Sequence, residues 1–370
     1  MSPEAASYSS AGVDYEALDA AKRLAIAGAL STSPLLHAHG ARALDSSRGE
    51  PAFVFELAGR AFALVLEGLG TKSVIARAVL EREGINRFAE VAYDTVAAIV
   101  NDLCCVGALP LVVNAYFATG ASEWYRHAER ATALLEGWRR ACTDARCTWG
   151  GGESPSLPGM LDAREIELAG AAVGALPEGH APILGEHLRA GDQIVLLASS
   201  GLHANGASLA RLVAERLPEG YATRLPGART SFGEALLEPS LMYVPLVAAL
   251  LARDQQVHYL SHITGHGLLK LMRPSATFTY RIATLPPVPP VLAFLAEQAA
   301  LDAQAAYSTF NMGAGFAVYC PAGEGEEIVA LAQRLGYRAL LAGTVEEGPR
   351  QVILEPLGVV YDGSQLDLSA

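Results

Sequence analysis

Cysteine is scarce in this chain, with five residues in 370, at positions 104, 105, 142, 147 and 320. No two form a Cys-x-x-Cys pair, and Cys142 and Cys147, five apart, suit neither a zinc knuckle nor a thioredoxin motif. An odd set of thiols is expected to stay reduced, as in a cytoplasmic protein. No stretch of eighteen purely apolar residues occurs, which argues against a membrane-spanning helix. The opening Met-Ser-Pro-Glu-Ala-Ala-Ser lacks the basic and hydrophobic blocks of a signal peptide. Basic residues are the minority, 27 Lys and Arg against 39 Asp and Glu, and they are scattered. A nucleic-acid surface needs the opposite, so nucleic acid is not an expected partner. Also missing are a Walker A sequence, a Gly-x-Ser-x-Gly elbow and a Ser-His-Asp order, so a P-loop and a hydrolase triad have no support.

What remains is a chain 51% apolar and 18% charged, able to bury substantial cores and long enough for two domains. Apolar runs mark strands at 52–57 and 61–67, joined through Ala58-Gly59-Arg60 as a hairpin. Further strands are expected at 108–117, 147–151, 166–174, 193–197, 257–260, 315–319 and 352–355. Helices are expected within 15–43 and over 73–83, 93–103, 123–140, 207–216, 241–253 and 290–304. Leu176-Pro-Glu-Gly-His-Ala-Pro182 is the candidate linker. The pattern predicts an α/β (α+β) protein with domains at 1–178 and 183–370.

Helix 93–103 is the most informative element. At about 100° per residue, Asp94, Asn101 and Asp102 share one arc with Ala98, while Val96, Ile99, Val100 and Leu103 take the other. Clustered carboxylates repel unless a cation or donor relieves them. Upstream, Glu67-Gly-Leu-Gly-Thr-Lys72 supplies a carboxylate, two glycines and an ammonium between a strand and a helix, a pattern suited to phosphate and Mg²⁺. From local pattern alone, an ordinary strand–turn–helix and a solvated acidic face stand beside that reading. Gly150-Gly-Gly-Glu153 is either a site of close backbone approach or a flexible loop. Ser199-Ser-Gly-Leu-His-Ala-Asn-Gly206 is either a phosphate-binding turn or a hydroxyl-rich cap. His258, His262 and His266 are four apart, but Ile263, Thr264, Gly265 and Gly267 predict a strand running into a glycine turn, not a metal-binding helix face. His37 and His39 read as incidental. Thr309-Phe-Asn-Met-Gly-Ala-Gly315 is a further polar turn before a strand.

Taken in order, these motifs resemble the phosphoribosylformylglycinamidine cyclo-ligase (aminoimidazole ribonucleotide synthetase) family. The resemblance runs through Ser7-Tyr-Ser-Ser-Ala-Gly-Val-Asp14, the 67–72 motif, Val100-Asn-Asp102, Ala118-Thr-Gly120, Gly151-Gly-Glu153 with Pro158-Gly-Met160, the 199–206 loop, His262-Ile-Thr-Gly265 and the 309–315 turn. It implies a homodimer whose N-terminal domains pair into a shared barrel, with a C-terminal α/β domain outside. It also implies ATP-dependent ring closure of formylglycinamidine ribonucleotide in purine biosynthesis. Carried over by motif, Glu67, Asp94 and Asp102 would hold Mg²⁺. Gly68, Gly70, Thr71, Lys72, Asp94, Asn101, Gly151, Gly152 and Glu153 would meet ATP. Ser199, Ser200, Gly201, His203, Asn205, Thr264 and Gly265 would meet the ribonucleotide, with Lys72, Asp102 and His203 at the chemistry. The chain departs from the family pattern at Glu67, which replaces an aspartate, at Ala38 to Gly49, where a glycine-rich loop is usual, and at His266, where a glycine is usual. Those departures keep two other readings open: a kinase acting on another small molecule such as thiamine phosphate, and a nucleotide-binding dimer without catalysis.

Overall fold

The computed structural model describes residues 15–253 and 256–366, with side chains from residue 24 onward. The opening motif at 7–14 lies outside the described residues. The strands are β1 (Ala41–Ala43), β2 (Phe53–Leu57), β3 (Arg60–Gly68), β4 (Leu109–Thr119), β5 (Thr148–Glu153), β6 (Ile166–Ala175), β7 (Gln193–Ala198), β8 (Tyr259–His262), β9 (Phe278–Ile282), β10 (Ala314–Cys320), β11 (Ala339–Glu347), β12 (Gln351–Leu354) and β13 (Val359–Asp362). The α-helices are α1 (Tyr15–Thr32), α2 (Lys72–Glu83), α3 (Phe88–Cys104), α4 (Ala128–Asp144), α5 (Ala207–Arg216), α6 (Phe232–Leu236), α7 (Val244–Leu251), α8 (Pro290–Gln298), α9 (Ala303–Thr309) and α10 (Gly325–Arg334). Two sheets organise them, in the orders β1-β2-β3-β6-β4-β5 and β13-β12-β9-β11-β7-β10-β8.

The expected hairpin forms with Leu57 opposite Arg60, and its two turn residues, Ala58 and Gly59, both adopt positive φ. That is the geometry whose twist matches the flanking strands. Alternation then decides the faces of the first sheet. Ala63 and Val65 of β3 point into the core, while Leu64 and Leu66 point out, 42% and 73% exposed. The core face is covered by α3, whose Val96, Ile99, Val100 and Leu103 are fully buried, each worth about 1.5–3 kcal/mol for the larger side chains. α4 packs on α3 through Gly137, where a Cβ would fall 2.1 Å from the Ala89 carbonyl oxygen.

Several boundaries differ from the sequence expectation for identifiable reasons. The apolar stretch 290–304 divides into α8 and α9, because Ala300 turns to φ 55° and Asp302 caps the new helix by accepting from the Ala305 N–H. The segment expected to begin a helix at 241 is instead an irregular turn until Val244. β9, β11 and β13 carry no strong sequence signal, and pairing with the central strands creates them: β11 lies between β7 and β9. The histidine segment is a strand leading into a turn, as expected: β8 ends at His262, and His266 caps a 3₁₀ turn over Gly267–Met272. All five cysteines are free thiols.

Candidate active site

β3 ends at Gly68, and the chain turns through Leu69, Gly70 and Thr71 into α2, with Gly70 at a φ of 70° that a side chain would oppose. Lys72, the first residue of α2, is fully buried. Its ammonium is ion-paired with the equally buried Asp94 of α3 and donates to the His203 carbonyl oxygen at 2.7 Å. Asp94 Oδ1 also accepts from the Ser240 N–H at 2.6 Å. Two turns further along α3, Asn101 donates through Nδ2 to the Leu241 carbonyl at 2.9 Å and accepts from the Tyr243 N–H through Oδ1 at 2.8 Å. The acidic face of α3 is therefore a face toward the rest of the chain, not toward solvent.

The 199–206 loop joins β7 to α5 and lies against the start of α2, where Thr71 Oγ1 meets Ser208 Oγ at 3.2 Å. Two helix N-termini thus converge, an arrangement that favours anions. Asn311 ties the loop down: its Oδ1 accepts from Ser199 Oγ at 2.8 Å and its Nδ2 donates to the Gly201 carbonyl at 2.9 Å. His203 adopts a φ of 61° and is 4% exposed. Its Nε2 accepts from the Ser200 N–H at 3.1 Å and approaches the Leu241 N–H at 3.5 Å. Burial pulls its pKa well below the usual histidine value, and the charges of His262 and Lys72 add to that. A neutral ring that accepts at Nε2 carries its proton on Nδ1. That Nδ1 is buried and has no hydrogen-bond partner among the described residues. His203 lines a small cleft with Asn205, Thr264, Leu202, Ile263, Phe310 and Asn311. Gly265 follows Thr264 in the turn beyond β8.

A second cluster surrounds the other end of α3. Glu67 hydrogen-bonds Asp102, and burial together with that neighbouring charge pushes its carboxyl pKa up to about 7, against the pull of Lys270 and Arg273. Asp102 Oδ1 lies 2.6 Å from His262 Nδ1. Burial opposes the Asp102 charge, but His262, Lys270 and Arg273 outweigh it and hold the carboxyl below its ordinary value. Lys270 is drawn down to about 8 by burial and by Arg273. Arg273 also donates to the Gly49 carbonyl at 2.6 Å and faces Glu50, which accepts from the Tyr259 hydroxyl at 2.7 Å.

The residues expected to share a metal and a phosphate sit in different surroundings. Asp94 lies eight positions before Asp102 on α3, about 12 Å along the axis, while Glu67 adjoins Asp102. Among the described residues, no group of three or more His, Cys, Asp or Glu side chains is arranged to hold a metal ion. The Lys72 ammonium, expected at phosphate, is paired here with Asp94 and the His203 carbonyl. Gly151, Gly152 and Glu153 lie on β5 at the open edge of the first sheet. Glu153, Tyr116, Ala169 and Gly68 form one row across four strands, which puts Glu153 about 14 Å from Gly68. The glycines have a packing reason of their own: Gly150 is the bulge residue, and a Cβ on Gly152 would fall 2.1 Å from the Ala115 carbonyl oxygen. Ser240, Lys270, Arg273 and Glu50 had no local signal in the sequence. His262 had one, since it opens the His-Ile-Thr-Gly motif.

Comparison with known proteins agrees with the motif order. The model of the AIR synthase related protein N-terminal domain matches residues 49–176, and that of the C-terminal domain matches residues 189–354. A phosphoribosylformylglycinamidine cyclo-ligase of Pyrococcus furiosus is 32% identical over 354 residues, spanning 96% of this chain and 99% of its own. The enzyme of that name from Methanobrevibacter smithii is 32% identical over 323 residues, spanning 87% and 89%. Among solved structures, a hydrogenase maturation protein HypE in complex with ATP shares the fold with a TM-score of 0.59 at 18% identity, covering 83% of this chain and 85% of that one. AaThiL complexed with AMPPCP and TMP has a TM-score of 0.53 at 17% identity, covering 84% and 89%. With two family models over most of its length and full-length relatives above thirty per cent identity, this chain belongs to the AIR synthase-related family of the phosphoribosylformylglycinamidine cyclo-ligases.

Proposed function

We propose that the protein catalyses ATP-dependent cyclisation of formylglycinamidine ribonucleotide to aminoimidazole ribonucleotide, releasing ADP and phosphate. One observation carries the reading beyond family membership. The N-termini of α2 and α5 meet beside a small cleft lined by His203, whose neutral ring carries a buried Nδ1–H with no partner among the described residues. A phosphorylated sugar suits the two helix ends, and an oxygen of the substrate suits the imidazole donor. Asn205 and Thr264 add neutral polar groups to the same cleft.

In this reaction the formyl oxygen attacks the γ-phosphorus of ATP and ADP leaves. A nitrogen of the same substrate then attacks the activated carbon, and phosphate departs with the oxygen. Both steps ask the protein for alignment and charge neutralisation more than for a covalent nucleophile. Mg²⁺ is commonly held by one or two carboxylates together with nucleotide phosphates, and the adjoining Glu67 and Asp102 fit that description where Asp94 does not. Bound there, the ion would neutralise charge on the transferring phosphoryl group. His262 orients Asp102, and Lys270 and Arg273 keep its carboxylate ionised. His203, held neutral by burial, serves as a hydrogen-bond donor and not as a proton reservoir.

Residues 1–178 would form the nucleotide-binding and pairing unit and 183–370 the second unit. The outward face of the first sheet, with Leu64, Leu66, Val112, Tyr116 and Val173 exposed, supports pairing with a second copy. Among the described residues no helix is long and apolar enough to cross a membrane. The test is phosphate release from ATP, Mg²⁺ and formylglycinamidine ribonucleotide by the purified protein. No release above background rejects the reading, and ATP turnover with thiamine phosphate in its place selects the kinase alternative.

A further inference from the structure

We propose that Lys72, Asp94 and Asn101 are positioning residues: a buried polar seam that sets the backbone on both sides of His203 and so aims its ring into the cleft. Two backbone segments cradle the imidazole. One is the loop itself, whose Ser200 N–H reaches Nε2, and the other is the turn before α7, whose Leu241 N–H approaches the same atom. The two segments are themselves linked by Ser200 Oγ donating to the Pro239 carbonyl. Neither is helix or strand, so neither satisfies its own polar groups.

The seam supplies what they lack. Lys72 holds the His203 carbonyl, Asp94 holds the Ser240 N–H, and Asn101 holds both the Leu241 carbonyl and the Tyr243 N–H. All three side chains are 0% exposed and rise from α2 and α3, whose positions are fixed by the apolar core behind them. His203 occupies a left-handed backbone conformation uncommon for a residue with a Cβ, and such a conformation persists where the surroundings over-determine it. The bond from Lys72 ends on that residue's own carbonyl. None of the three seam residues lines the cleft. They act on the site through His203 and not by touching substrate.

Two charges buried together are best removed together, since a lone buried charge destabilises the fold for reasons unrelated to the loop. The informative variant is therefore Lys72→Met combined with Asp94→Leu in the full chain, which removes the acceptor of the Ser240 N–H together with the donor to the His203 carbonyl. Hydrogen exchange is read by mass spectrometry on unliganded protein, so the outcome does not depend on the proposed reaction. Exchange in peptides covering 199–206 and 239–243 is expected to rise at least tenfold, with the first sheet unchanged. ATP affinity is measured alongside by calorimetry. Unchanged exchange in both segments overturns the proposal. So does a tenfold loss of ATP affinity with both segments still protected. A wild-type protein that binds no ATP would reject the functional reading and leave the exchange arm to decide. Should the double variant not fold, Asn101→Ala loosens the 239–243 turn alone, and unchanged exchange there is equally fatal.

Discussion

Glu67 shows how much one side chain takes from its surroundings. Its pKa rises from 4.5 to about 7 on folding, so the folded protein binds a proton that the unfolded chain has released between those values. Stability from this group is present at acid pH and is lost as pH rises through about 7. In metal-free buffer, Glu67→Gln is expected to flatten the fall in stability between pH 5 and pH 8. At pH 8 the variant should be the more stable by up to about 3 kcal/mol in urea unfolding. A variant that keeps the wild-type slope would show that the Glu67–Asp102 contact is not the cause. Asp102 is the opposite case, a carboxylate held ionised against burial by His262 and two cations. Asp102→Asn is expected to cut turnover at least about tenfold in a phosphate-release assay, and unchanged turnover would remove Asp102 from the site. Both residues were legible in the sequence, Glu67 as an acid before two glycines and Asp102 on the polar arc of its helix. Their partners were not, because Lys270 and Arg273 lie some 170 residues downstream of Asp102 with no local pattern to mark them.

At the scale of elements, α3 is the organising piece. One side builds the core against the first sheet and α4, and the other reaches the irregular segment 239–243 and the end of β8 in the C-terminal half. Its periodicity was readable from residues 93–103, and so was the division into an apolar and a polar arc. What the polar arc faces was not readable, since a solvated helix face and a buried seam have the same spacing. The α3–α4 contact tests the packing half of this account. Gly137→Ala would press a Cβ onto the Ala89 carbonyl at 2.1 Å. It is expected to cost at least about 2 kcal/mol and lower the melting midpoint by several degrees. A wild-type melting curve would mean that the two helices are not so tightly opposed.

For the molecule as a whole, the first sheet is lopsided: one face is sealed by helices, the other shows a band of exposed leucine, valine and tyrosine. Patches of that kind on a soluble surface mark a partner. Light scattering is expected to find a dimer, and Leu66→Lys combined with Leu64→Lys is expected to yield a monomer that keeps its circular dichroism spectrum. A wild-type monomer at micromolar concentration would reject self-pairing on this face. Alternation within β3 and β6 is local and therefore visible in sequence, but whether the outer face meets solvent or a second chain is decided by what packs on it.

The sequence by itself determined the hairpin at 58–59, the helix periodicity of α3, the histidine strand and the motif order that places the chain in its family. These follow from chemistry between near neighbours: turn residues, side-chain alternation and spacing along a helix. Only the tertiary structure decided which charges meet. It paired Lys72 with Asp94, separated Asp94 from Glu67 and Asp102, and surrounded the latter two with His262, Lys270 and Arg273. A buried charge is governed by the groups that folding brings within a few ångströms, and most of those lie far away along the chain.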